Sequence, residues 1–217
     1  MQEVFSTNYT NVNFYQYGEE VLIGVSAQTI IDAINELGDL NSLKASDEPV
    51  LKQIQENYNN LPDLFKQDVT NYDVLQEAIN VVLPAKKLEN SILNLPKPEE
   101  IDSVLHGYDI ETANTAYSNL SDEQKEYISE EAVSKLQACV FNLPIAKVYN
   151  YINKIPSEVN DETKRDFNKY VQYSVKYYNL LEDEQKEAFD AEKLAYLQQR
   201  VDEYNSTVDD NKKLVLQ

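Results

Sequence analysis

The stretch Tyr117-Ser118-Asn119-Leu120-Ser121-Asp122-Glu123-Gln124-Lys125-Glu126-Tyr127-Ile128 occurs again, altered but legible, on both sides of itself. The later copy is Tyr178-Asn179-Leu180-Leu181-Glu182-Asp183-Glu184-Gln185-Lys186-Glu187-Ala188-Phe189, and a weaker earlier one runs from Tyr58 through Leu61 and Lys66 to Val69. From Tyr58 to Tyr117 is 59 residues and from Tyr117 to Tyr178 is 61. That period is too long for a solenoid turn and long enough for one small helical bundle per repeat.

The helical phase can be read around each copy. Ser26 is placed as an N-cap, and Ile30, Ile34 and Leu37 follow at the spacing that puts one apolar stripe on a helix, which Gly38 stops. The same register returns as Leu88, Ile92, Leu95 before Pro96, and as Val148, Ile152, Ile155 before Pro156. A breaker in one register three times marks the end of each first helix. Second helices carry Leu51, Ile54, Tyr58 and Leu61, then Ile110, Ala113, Tyr117 and Leu120, then Val171, Ser174, Tyr178 and Leu181. Ser121 with Gln124 has the form of a capping box. Third helices are expected through Val133, Leu136 and Val140, through Leu194, Leu197 and Val201, and through Leu75, Ala78 and Val82. Leu83-Pro84 and Leu143-Pro144 join a third helix to the next first helix, and proline suits the first position of a new helix.

These readings give an all-α chain of three tandem three-helix bundle repeats, about 60 residues each, at 26–83, 84–143 and 144–205. A short irregular or hairpin-like segment, 1–25, precedes them, with Val12–Tyr17 and Val21–Val25 as candidate strands across Gly18-Glu19. Residues 206–217 are expected to be a polar tail.

Charge and residue supply narrow the function classes. Lys and Arg total 19 against 38 Asp and Glu, a net charge of -19, which argues against nucleic acid or an anionic membrane as partner. No apolar run is long enough to insert in a membrane. The only histidine, His106, stands beside Gly107 with no Gly-x-Ser-x-Gly elbow in the chain, and the only cysteine, Cys139, sits in an apolar run. Neither a catalytic set, a metal site nor a cofactor site is expected. Acidic pairs such as Asp122-Glu123 and Asp183-Glu184 fall at helix starts, where negative charge complements the dipole. One surface feature stands out: with Phe167, Val171, Ser174 and Tyr178 facing the core, Tyr170, Tyr173 and Tyr177 form a second stripe. That stripe either widens the core or seals the contact with a neighbouring repeat, or else forms a binding surface for a protein or a glycan.

The marks Leu95-Pro96 and Ile155-Pro156, Tyr117-x-x-Leu120-Ser121-x-x-Gln124-Lys125, and Tyr178-x-x-Leu181-Glu182-x-x-Gln185-Lys186 resemble those of tandem three-helix repeats in surface-anchored or secreted multidomain proteins of Gram-positive bacteria. The resemblance covers about residues 27–205, and the first repeat departs from it with Gly38 for proline and Phe65 for glutamine. It implies a non-catalytic spacer or interaction module, extracellular or on the cell surface, beside neighbouring domains of a larger protein. The adhesin-like or carbohydrate-binding alternative uses Tyr170, Tyr173 and Tyr177. The near absence of cysteine fits such export and fits the cytoplasm equally.

Overall fold

The computed structural model describes residues 13–17 and 20–217. The Asn-, Thr- and Tyr-dense stretch before Asn13 and the expected Gly18-Glu19 turn lie outside the described residues. Strands β1 (Asn13–Tyr17) and β2 (Glu20–Gly24) pair antiparallel, with Asn13 opposite Gly24. The other regular elements of the described residues are helical. In chain order they are α1 (Ala27–Asn35), α2 (Glu48–Asn59), α3 (Asp63–Lys66), α4 (Tyr72–Glu77), α5 (Leu83–Leu93), α6 (Gly107–Ser118), α7 (Asp122–Lys125), α8 (Glu130–Ile152), α9 (Lys164–Tyr178), α10 (Asp183–Glu187) and α11 (Ala191–Asn205), with short 3-10 turns between some of them. None is both long and apolar enough to cross a membrane. Contacts gather the chain into two compact units, one formed by residues up to Asn90 with Leu120–Ile128, the other by Ser91–Asn119 with Ser129–Gln217.

In the first unit the Ser26 side chain accepts the Thr29 N–H at 3.0 Å, and Gly38 takes φ 65°, a left-handed conformation that suits glycine just past a helix end. Ile30 and Ile34 of α1 meet Leu51 and Ile54 of α2 and Leu75, Ala78 and Val82 of the α4 stretch in one core. Each fully buried Ile, Leu or Val side chain there stabilises the fold by about 1.5–3 kcal/mol. The turn containing α7 docks on the same core. Ser121 and Gln124 complete the capping box, with the Gln124 N–H on Ser121 Oγ at 3.2 Å and the Ser121 N–H on Gln124 Oε1 at 3.1 Å. Tyr127 packs against the core and donates its hydroxyl to Glu77 at 2.7 Å.

The second unit is built along α8. Its first half packs with α6, where Ile110 and Ala113 are buried, and its second half sends Val148 and Ile152 into a core with Phe167, Val171 and Val175 of α9 and Leu197 and Val201 of α11. The capping box recurs at α10 between Glu182 and Gln185.

The structure corrects three expectations. Pro84 and Pro144 do not open new helices: α8 runs through Pro144, and α4 continues through a π-helical turn at Ala78–Val82 into α5. Proline inside a helix removes the N–H that would serve the carbonyl four residues earlier. Near each proline a capping-box glutamine from further along the chain donates Nε2 to a helix carbonyl, Gln124 to Asn80 at 3.4 Å and Gln185 to Phe141 at 2.9 Å. Second, α8 buries Ala132, Leu136 and Cys139, while Val133 and Val140 remain half-buried, so Leu136 and Cys139 are the counterparts of Leu75 and Ala78. Third, the segment after α11 is not simply a polar tail. Val208, Leu214 and Leu216 pack against the core, and two asparagine amides hold the backbone. Asn205 exchanges two hydrogen bonds with Leu214, and Asn179 bonds the Val215 carbonyl and the Gln217 N–H, all at 2.8–2.9 Å.

Candidate functional site

The amphipathic phase of α9 fixes where its tyrosines go. Phe167, Val171, Ser174, Val175 and Tyr178 are buried, which turns Tyr173 outward at 40% exposure and leaves Tyr170 and Tyr177 half-buried at the edge of the core. The three stand at i, i+3 and i+7 of one continuous helix and so share a face. Tyr173 and Tyr177 are joined by Tyr151 of α8, whose ring stacks on Tyr177 at 5.0 Å with planes 8° apart and tilts against Tyr173 at 5.3 Å. Tyr170, with Lys169 Nζ 5.0 Å from its ring centre, adds to the same group and contributes to the electrostatic surroundings of Tyr151.

Sequence reasoning missed Tyr151 because it assigned the first-helix face by its aliphatic residues alone. The signal was present: Lys147, Tyr151 and Lys154 are spaced i, i+4 and i+7, one face of a helix. Lys147 Nζ lies 4.3 Å from the Tyr177 ring centre, Lys176 Nζ 5.6 Å from it, and Lys154 Nζ 5.9 Å from that of Tyr151. These are cation-π distances. Among the described residues none of Lys147, Lys154, Lys169 and Lys176 forms an ion pair. Burial, followed by the neighbouring tyrosines, raises the Tyr151 phenol above its ordinary range. It therefore stays neutral and the face keeps the positive charge of its lysines.

Beside the cluster lies a cleft of about 180 Å³, lined by Ser103, Val104, Glu111, Lys147, Tyr151 and Lys154 among others. Its rim is set by Asn150, which donates to Asp102 Oδ1 at 3.0 Å and to Ser103 Oγ at 2.8 Å. The Asp102 carboxylate also accepts the Val104 N–H at 2.7 Å, and hydrogen bonding from Val104 and then Asn150 holds its pKa down. The loop so braced presents Val104 and Leu105, each 71% exposed, and leads to Tyr108 at 79%.

No protein family, curated protein or solved structure matches this chain.

The lone histidine and cysteine have structural occupations. His106 Nδ1 accepts the Asp102 N–H at 3.0 Å, which ties it into the same loop. Cys139 is buried with Sγ 3.5 Å from the Pro96 carbonyl, and burial pushes its thiol pKa up, away from the thiolate a nucleophile needs.

Proposed function

We propose that this chain is a non-catalytic structural and interaction module of an exported or cell-surface bacterial protein. Its helices are read as three tandem three-helix repeats of the kind it resembles, working beside neighbouring domains. Its contact with a partner is the face made by Tyr151, Tyr173, Tyr177 and Lys147, together with Val104 and Leu105. The observation that carries this is the pairing of unpaired lysines with accessible aromatic and aliphatic side chains around one cleft, in a chain whose net charge is -19. Rigid rings give a partner large contact area at small entropic cost, and exposed aliphatics beside them form the apolar centre typical of a protein contact. A partner with acidic groups is favoured, since the lysines offer it positive charge on a chain whose net charge is -19.

The test titrates the chain with a fluorescent poly-glutamate peptide and, separately, with neutral oligosaccharides. Poly-glutamate is expected to bind, to weaken as salt rises, and to lose about tenfold in affinity in Lys147→Glu or Lys154→Glu. Oligosaccharide binding that Tyr173→Ala abolishes, with no response to poly-glutamate, would replace this reading with the adhesin-like one. No binding to either probe would leave only the spacer role.

A further inference from the structure

One helical face is closed in two different ways in the first and third sequence repeats. In the first, Tyr72 stacks on Tyr58 with ring centres 3.6 Å apart. Its hydroxyl accepts from Gln55 Nε2 at 3.0 Å and Gln76 Nε2 at 2.8 Å. In the third, the chain's own extended segment covers the face, with Leu216 beside Tyr178, Leu194 and Gln198. Alternate residues, Leu214 and Leu216, turn toward the protein, while Val215 between them is 64% exposed.

Leu75, Leu136 and Leu197 hold the same buried step in the three repeats, so Tyr72, Val133 and Leu194, each three residues earlier, correspond. In the second repeat the matching residues are therefore Tyr117, Val133 and Gln137. There the small Val133 stands where the first repeat has an aromatic ring, and a groove of about 630 Å³ opens in front of it. Val133, Leu136 and Val140 form its floor and Leu180, 68% exposed, one wall. Asn114 and Gln137 line it too and offer amide groups, and Ser118, also on the lining, is the counterpart of the Asn179 that holds backbone one repeat later. Glu182 adds negative charge at the edge.

We propose that this groove binds an extended peptide segment of a partner protein, with two leucine-like side chains two residues apart and basic residues preceding them. The chain's own Lys212-Lys213-Leu214-Val215-Leu216-Gln217 has that pattern and lies in the corresponding place. Alternation sends every second side chain of a strand to one side, which suits a groove with an apolar floor. The amide-lined walls then serve the backbone, as in other modes of extended-peptide recognition.

The experiment adds the fluorescently labelled hexapeptide of residues 212–217 to the full chain and follows polarisation. Saturable binding is expected, weakened about tenfold or more by Val133→Tyr, which fills the groove as Tyr72 does in the first repeat. Leu180→Ser, at an exposed wall, is expected to weaken binding while leaving the fold intact. A peptide with both leucines changed to serine is expected not to bind. The idea fails if the peptide does not bind the wild-type chain, or if Val133→Tyr binds it undiminished. It fails too if Asn179→Ala alone removes binding, because the peptide then sits in the place of the chain's own segment. Displacement of the peptide from the Tyr151 face, seen as sensitivity to Lys147→Glu but not Val133→Tyr, would also overturn it.

Discussion

Arg200 occupies the place that Cys139 holds one repeat earlier, and both meet the carbonyl of the proline that follows a first helix. Cys139 lies 3.5 Å from the Pro96 oxygen, and Arg200 donates to the Pro156 oxygen at 2.6 Å. Arg200 is buried, lies 4.8 Å from the Phe167 ring centre and pairs with Glu203 at 2.8 Å, so one planar guanidinium serves three neighbours. A lysine has a single ammonium and cannot hold this fork geometry. Arg200→Lys, which keeps the charge but loses the fork's hydrogen bonding, is expected to destabilise the chain by about 1.5–3 kcal/mol, read as a shift in the urea midpoint. At Tyr127 the hydrogen bond to Glu77, aided by burial, pushes the phenol up to about 12. The folded state thus favours the protonated phenol, and the resulting stability is full below the ordinary phenol pKa near 10. It is lost as pH rises from there through about 12. Absorbance titration at the tyrosinate band is expected to show several late phenols, Tyr151 among them, of which the one near 12 is absent in Tyr127→Phe and titrates earlier in Glu77→Gln.

Elements were legible wherever local chemistry decided them. Ser26 and Ser121 cap where their spacing said they would, and the aliphatic stripes of α1, α2 and α9 are buried as their periods require. The junctions were misread because proline's preference for a helix start is local, whereas the continuity of α8 rests on packing along its length. A helix-interior proline costs about 3 kcal/mol, and α8 tolerates it with Leu136 and Cys139 buried before Pro144 and Ile145, Val148 and Ile152 after it. The site was half legible: Tyr173 points outward as its phase implies, but joining it to Tyr151 needed the crossing of α8 and α9, which no single-helix pattern contains. Limited proteolysis can check the continuity. Cleavage is expected in the exposed connection at 157–163, before α9, and not at 143–144. Early cutting at 143–144 would mean that α8 opens there.

On the scale of the whole molecule, charge is sorted as well as abundant. Residues 26–83 hold 3 basic against 10 acidic residues, while 144–205 hold 9 against 12, and four of those nine lysines and arginines gather at the α8–α9 tyrosines. Net charge of this size disfavours close approach of like-charged copies, and the proposed contact face is where anionic groups would settle. The passage of α8 through Pro144 has a different consequence, for how such a chain can be lengthened or shortened. Under the proposed repeat reading, the period of the sequence changes over inside a helix, so the sequence unit and the helices are out of phase. Adding or removing one period therefore means splicing helix to helix with the turn angle preserved, and a cut placed tidily at Leu143 would hand each fragment half of a rod.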